Sequence, residues 1–308
     1  MSNRVLLITH VTPDGDAIGS LLGLGRLLES QGKQVTLACE DSVPDTYSWL
    51  PGSGQIVRQS NGTYDLLIGL DCSDERRLGT VYRPELHGIP LVNIDHHVTN
   101  TNFGTVNWVE SGSVATAQMV LTLAETLGWE IGEPVAVCLL TGMVTDTRSF
   151  RTSNVDAASM SAALRLMEAG AALPEITRLT LGHRPLASLR LWGQAIDGLQ
   201  LEDGILWTDI TRPMRKRWGL SDNGAAGLTN LLTSVREAHV VVVFSERADG
   251  TIDVGMRSAP GTDVAQVALK LGGGGHPQAS GCTLEGELSE VRSHVLAEVR
   301  KSLADQAD

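Results

Sequence analysis

The sequence predicts an α/β protein: a doubly wound, mostly parallel sheet followed by a smaller α/β domain. Three observations predict it. Short β-branched and leucine-rich runs at residues 4–9, 33–38, 64–70 and 89–94 alternate with helical patterns, the order that builds a parallel sheet. Three of these runs end in carboxylates or imidazoles, and such sheets bind ligands at the carboxyl ends of their strands. Later in the chain, residues 240–245 and 251–257 read as a strand pair around Asp249-Gly250, a good hairpin turn.

Composition narrows the function classes. The 308 residues leave room for two cores, and 42% hydrophobic content fits a globular protein. No apolar run approaches the roughly 18 residues of a membrane span, and the apolar part of the N-terminus is too short for a signal peptide. A cytoplasmic protein without a membrane partner is therefore expected. Cys39, Cys72, Cys138 and Cys282 are widely spaced, which indicates neither a disulfide framework nor a zinc knuckle. A net charge of −12 disfavours coating long nucleic acid, double-stranded above all, yet allows a short anionic substrate in a locally positive cleft.

The first strand, Arg4–Thr9, runs into His10-Val11-Thr12-Pro13-Asp14-Gly15-Asp16. That turn-rich segment cannot be helical before its proline. It reads equally as an Asp-rich turn with a helix N-cap. A helix follows over residues 17–30, with Gly19, Gly23 and Gly25 permitting close packing. The third strand ends at Asp71, and the fourth ends in Asp95-His96-His97. Residues 134–150 begin with an apolar stretch of helix or strand character; length and the leading proline favour helix, ending at Asp146. Another helix opens after Glu110, with Ser111 or Ser113 as N-cap and free N–H groups suited to a phosphate.

His10, Asp14, Asp16, Asp71, Asp95, His96, His97 and Asp146 thus converge on one sheet edge. Carboxylate-rich sets with a few imidazoles suit hard or borderline divalent ions rather than a closed zinc site. So many aspartates would repel one another around a single ion. Two ions about 4 Å apart, bridged by a carboxylate and a water, form the arrangement used in phosphoryl-ester hydrolysis. Imidazole ligands favour Mn²⁺, with Mg²⁺ the alternative.

The second half carries its own signals. Residues 183–188 read as the start of a connection between domains, residues 189–199 as a linking helix, and residues 205–210 as a strand. Arg212, Arg215, Lys216 and Arg217 form a basic cluster that reads as a solvated helix face. Residues 263–271 form a helix that runs into Gly272 to Gly275 and His276. Consecutive glycines cost backbone entropy, and close approach of the main chain to an anion is one reason for them. The other reading is a flexible loop. Arg257, at a strand end, offers planar bidentate recognition of a phosphate.

Taken together, HVTPDGDAIGS, LDCSD, NIDHH and TGMVTDT resemble, in order and spacing, the four motifs of the DHH phosphoesterase superfamily. VGMRS and GGGGHPQASG look like the RS and GGGH signatures of the DHHA1 domain. The resemblance covers essentially the whole chain and is similar to the stand-alone nanoRNase and pAp phosphatase branch. It implies a DHH domain over 1–183, a linker helix over 184–200 and a DHHA1 domain with a mixed sheet over 201–308, with the active site in the cleft between them. His10, Asp14 and Asp71 would hold one ion; Asp16, Asp71, His96 and Asp146 the other. Asp95 would support the metal-binding imidazole of His96. His97 would face the scissile phosphate and stabilise charge or protonate the leaving oxygen. Arg257, Ser258, Gly273, Gly274, Gly275 and His276 would bind the substrate's far end, with Arg148 and Ser113 as further contacts. Two departures stand out: Arg148 where many relatives have Gly, and Ser280 where Ala is more usual.

The implied activity is hydrolysis of oligoribonucleotides of two to five residues to 5′-mononucleotides, and of 3′-phosphoadenosine 5′-phosphate to AMP, by a homodimer. Rival readings are a linear or cyclic dinucleotide phosphodiesterase and a RecJ-like single-strand exonuclease, which would want an extra nucleic-acid-binding domain. An inactive nucleotide sensor is a third, opposed by the full ligand set.

Overall fold

In the computed structural model, residues 2–182, 184–221, 227–259 and 261–307 are described. The chain divides into two units, Met1–His183 and Arg184–Asp308.

The first unit opens with β1 (Arg4–Thr9), α1 (Gly15–Ser30), β2 (Gln34–Ala38), β3 (Leu66–Leu70), β4 (Leu91–Asp95) and β5 (Val106–Val109). These strands form one five-stranded sheet in the order β2-β1-β3-β4-β5. Every pairing in it is parallel, as the alternating sequence pattern predicts. The short β5, with no buried residue of its own, is an element that sequence reading missed. The order reverses between β1 and β3, which makes the carboxyl ends of β1, β3 and β4 neighbours at a topological switch point.

The helices α2 (Thr116–Thr126), α3 (Glu133–Asp146), α4 (Ala157–Glu168) and α5 (Leu173–Thr177) complete this unit. The ambiguous apolar run is the helix α3, buried from Val135 to Val144 except at Val137. A helix apolar on nearly every side must be surrounded, and α1 and α2 lie against it. Small residues make that contact close. A Cβ on Gly19 would meet the Cys138 carbonyl oxygen at 2.4 Å, and one on Gly23 would meet Leu139 at 2.5 Å. Gly25 faces Leu37 of β2 instead. The opposite sheet face carries a smaller core of Leu6, Ile8, Leu67, Leu78, Val81 and neighbours.

The second unit contains α6 (Leu186–Asp197), β6 (Gln200–Glu202), β7 (Ile205–Ile210), α7 (Arg212–Trp218), α8 (Leu228–Leu232), β8 (Val240–Glu246), β9 (Ile252–Ser258), α9 (Ala265–Lys270), β10 (Gly274–His276), β11 (Ala279–Leu284) and α10 (Leu288–Ala307). Its six-stranded sheet has the order β10-β11-β9-β8-β7-β6 and is mixed, with β7 and β8 its one parallel pair among the described residues. Residues 184–200 hold α6, whose Leu191, Trp192 and Ala195 pack with Leu206, Leu228 and Val241 of the same unit. His183 lies outside the described residues. In the basic cluster, Arg215 is buried and donates to the Ser221 carbonyl, while Arg212, Lys216 and Arg217 are exposed. All four cysteines are buried free thiols. Among the described residues no helix is long and apolar enough to cross a membrane.

Candidate metal centre

Strand ends deliver the first group of side chains. His10 follows β1, Asp71 follows β3, Asp95 closes β4 and His96 and His97 follow it. Helix ends deliver the rest: Asp14 is the N-cap of α1, Asp16 lies in its first turn, and Asp146 is the last residue of α3.

The sequence-predicted ligands of the first unit come together. One donor atom each from His10, Asp14 and Asp71 lie within 4.8 Å of one another, and so do donors from Asp16, Asp71 and His96. Asp71 belongs to both groups. His10 Nε2 is 3.6 Å from Asp71 Oδ2 and 4.0 Å from Asp14 Oδ1. His96 Nε2 stands 3.6 Å from Asp71 Oδ1, 3.8 Å from Asp16 Oδ2 and 3.4 Å from Asp146 Oδ2. These separations are too long for good hydrogen bonds. Donors sharing one ion at bonds of about 2.1 Å lie roughly 3–3.5 Å apart, so the set fits divalent cations.

Electrostatics points the same way. Burial raises the proton affinity of Asp16 well above the usual carboxylate range, and Asp71, Asp146 and Asp14 raise it further, against the pull of the Ala117 backbone N–H. Asp146 is pushed up to about 6, by burial first and by Asp14 and Asp71 against the pull of His96. Burial acts on Asp71 too, but the nearby imidazole of His10 and the charges of His97 and His96 outweigh it and hold this carboxyl below its ordinary range. Carboxylates this crowded need positive charge to stay ionised.

Each imidazole is held from behind. His96 Nδ1 donates to the Ser113 carbonyl at 3.1 Å, presenting Nε2 to the carboxylates. His10 Nδ1 lies 2.8 Å from the Val11 carbonyl and 3.0 Å from Arg77 Nη2. The two contacts ask for opposite tautomers; the shorter one, with Nδ1–H donating to Val11, leaves Nε2 able to bind a cation.

Two sequence expectations are corrected here. Asp95 was expected to support His96, but its Oδ1 accepts from His97 Nδ1 at 2.7 Å. Side chains alternate along an extended chain, so residues two apart share a side and His96 points the other way. Burial disfavours charge on His97, yet the hydrogen bond and charge of Asp95, with Asp71 and Asp146, raise its affinity to about 9, which favours the imidazolium form. The second correction concerns Ser111 and Ser113. The N-cap of α2 is Ala115, without a side-chain cap, and the free N–H groups bind a carboxylate of the chain itself. Thr116 N donates to Asp16 Oδ2 at 2.6 Å and Ala117 N to Asp16 Oδ1 at 2.9 Å. Ser113 is buried, its hydroxyl donating to Ala115 O. It acts on the centre through its carbonyl.

Other contributors went unnoticed in the sequence. Asn100 Nδ2 donates to Asp95 Oδ2 and, at 2.8 Å, to Asn93 Oδ1. Thr116 Oγ1 donates to Asp71 Oδ1 at 3.0 Å, and Ser20 Oγ to Asp16 Oδ1 at 3.1 Å. A fully buried Asn93 inside the apolar β4 was the one signal available for this network.

The backbone is strained where it matters. Asp71 has φ +57°, and Arg148, Ser149 and Phe150 follow Asp146 with φ of +52°, +63° and +59°. Left-handed conformations cost non-glycine residues on the order of 1–2 kcal/mol each.

The second unit gathers its candidates separately. His276, Ala279 and Arg257 are successive cross-strand partners over β10, β11 and β9, so they share one sheet face with a small residue between them. Arg257 Nε donates to Asn230 Oδ1 at 2.9 Å. Ser258 turns out to be a brace, its hydroxyl donating to Thr262 O at 2.6 Å. The glycine run is no free loop: Gly274–His276 is an edge strand. Gly275 has φ +138°, and Cβ atoms on Gly273 and Gly275 would meet the Gly281 and Ala279 carbonyl oxygens at 2.1 and 2.5 Å. The glycines are needed for strand pairing. Ser280 donates to Val264 O at 2.8 Å and fits without disturbance.

Comparison with known proteins agrees with this layout. Residues 4–143 match the DHH family, N-terminal domain, and residues 212–305 match the DHHA1 domain. The bifunctional oligoribonuclease and PAP phosphatase NrnA of Thermus thermophilus is 34% identical over 97% of this chain and 90% of its own. The protein of the same name from Bacillus subtilis is 27% identical over 92% of this chain and 90% of its own. In fold, the chain is similar to an exopolyphosphatase-related protein from Bacteroides fragilis, with a TM-score of 0.89 at 23% identity, covering 100% of this chain and 94% of that one.

Proposed function

This chain belongs to the DHH family, and on that premise we propose that it hydrolyses oligoribonucleotides of two to five residues to 5′-mononucleotides, and 3′-phosphoadenosine 5′-phosphate to AMP, with two divalent cations. The observation that carries the reading is the pair of donor groups sharing Asp71. His10 and Asp14 would complete one ion's set; Asp16, His96 and Asp146 the other's. Ligands of this kind suit manganese ahead of magnesium. What such a pair supplies in phosphoryl chemistry is neutralised charge and an activated water.

The remaining work falls to the chain's own groups. His97, protonated and held by Asp95, offers Nε2–H to the leaving oxygen as general acid. Asn100 fixes Asp95 from its other oxygen and so fixes the ring. Arg257 and His276, on one face of the second sheet, supply anion and sugar contacts that select short substrates. Same-named relatives that cover nine-tenths of this chain support the substrate class.

The experiment is direct. Purified protein is incubated with Mn²⁺ and pAp, pApA, cyclic di-AMP, short and long RNA and single-stranded DNA, and initial rates are ranked. The expected result is fastest turnover of pAp and the shortest RNAs, lost by about 10³-fold or more in Asp71→Ala. Retained turnover in that variant, or none by the parent chain on any short substrate, overturns the reading.

A further inference from the structure

Beyond the metal ligands, the three-residue left-handed turn after Asp146 is the most unusual stretch of backbone in the first unit. Arg148, Ser149 and Phe150 all lie at positive φ, a region that favours glycine. Hydrogen bonds clamp the turn: Ser149 N donates to Val144 O at 2.7 Å, Phe150 N to Thr147 Oγ1 at 2.8 Å and Arg151 N to Thr147 O at 2.8 Å. Phe150 packs against the main core of its unit. The surroundings therefore impose this conformation whatever residue stands at 148, and a glycine would adopt it without strain. The chain places its bulkiest cation there instead, two residues beyond a carboxylate whose oxygen is 3.4 Å from His96 Nε2.

A second observation concerns charge. Arg148 is partly buried, and Arg151 is exposed three residues on. Two arginines three residues apart, directly after a carboxylate that lies 3.4 Å from His96 Nε2, fit a dianion that accepts from both, and a phosphomonoester offers the oxygens and the charge to do so. Backbone strain kept at a functional site, where glycine would relieve it, points to a used side chain.

We propose that Arg148, assisted by Arg151, is a specificity residue that holds a terminal phosphomonoester of the substrate, separate from the phosphate being cleaved. The proposal rests on the hydrolase reading above and adds to it a preference: substrates bearing a 5′-phosphate over the same molecules without one.

Matched pairs test it: pApA against ApA, and pAp against adenosine 3′-monophosphate. In Arg148→Gly, KM for the phosphorylated member is expected to rise roughly 10-fold to 100-fold while that of its partner moves less than about twofold. Arg148→Lys, which keeps the charge without the planar fork, should fall between. The glycine variant should also melt about 1–3 °C higher as strain is relieved. Calorimetric titration of the chelated protein with pAp and adenosine 3′-monophosphate asks the same question without turnover. A lost preference there supports the proposal even if hydrolysis fails on every substrate. Equal shifts for both members of a pair, or a Tm lowered by glycine, overturn it.

Discussion

The carboxyl end of the first sheet and the β9–β11 edge of the second are both built around glycines, but the glycines serve opposite ends. Gly142 in α3 lets two acidic elements close on each other: a Cβ there would meet Asp16 Oδ1 at 2.6 Å and Ala117 at 2.7 Å. Gly273 and Gly275 let two strands close, and the side chains they help present, Arg257 and His276, are a cation and an imidazole. The first region is electrostatically divided against itself. Asp16 and Asp146 are driven toward protonation while Asp71 and Asp95 are held ionised, each within reach of an imidazole or a fellow carboxylate. The second is settled, with Arg257 donating to the neutral Asn230 and to the Met256 carbonyl. One region waits for positive charge and the other for negative. Their responses to perturbation should separate accordingly.

The sharpest separation comes from adding one methyl group to each. In Gly142→Ala the Asp16 carboxylate must move, and Mn²⁺ affinity should fall roughly 100-fold by calorimetry, with activity following. The equivalent change on the other side, Gly275→Ala, strains a residue at φ +138° and pushes β10 from β11. Its Mn²⁺ affinity should be unchanged and its KM raised. Circular dichroism establishes that both variants remain folded. Should Gly275→Ala weaken metal binding as much as Gly142→Ala does, the two regions are not independent and the comparison fails.

A smaller effect is expected from Arg257→Ala. Losing a charge-assisted contact to substrate should raise KM about 10-fold and leave Mn²⁺ affinity intact. Asn230→Ala, which removes one partner of the guanidinium and keeps the charge, should give a weaker version of the same change. An effect of Arg257→Ala on kcat alone would place this side chain in the chemistry rather than in binding.

Much of this division was legible in the sequence, for physical reasons. Alternating apolar runs fix a parallel sheet, and the sheet fixes which ends its loops leave from, so the strand-end candidates His10, Asp71 and His96 group together from the sequence alone. Asp146 required only the length of α3. What stayed hidden was direction. Nothing in the letters Asp95-His96-His97 says which imidazole the aspartate grips, since that depends on where β4 stops being extended. The N-terminus of α2 was seen as an anion site, and it is one, but its anion is Asp16, a hundred residues earlier in the chain. The glycine run is ambiguous in sequence because an entropic cost has several remedies, and strand pairing is one of them. Positive φ at Arg148 is invisible in a sequence, because the clamp that enforces it comes from Val144, Thr147 and Phe150 together.

The smallest expected effect is a pH dependence of stability that changes with metal. For Asp146, with affinity raised from 3.8 to about 6, and for Asp16, raised in the same direction, the folded state binds protons more tightly than the unfolded chain. Their contribution favours the fold at low pH and is lost as pH rises through the folded values. His97 adds to the same slope: raised from 6.5 to about 9, it stabilises below its ordinary value and ceases to as pH climbs through the folded one. Asp71 and Asp95 act in the other sense, but their window lies below 3.8, where lowered carboxyls begin to be protonated. The chelated protein should therefore melt several degrees lower at about pH 8.5 than at about pH 5. Saturating Mn²⁺ should flatten or invert that slope, because bound cations keep the carboxylates ionised and reward the higher pH. Differential scanning of the two forms across this range measures it. Parallel slopes with and without Mn²⁺ would mean that the crowded carboxylates of the first unit are balanced by something other than a cation, and the contrast with the second unit would then lose its electrostatic basis.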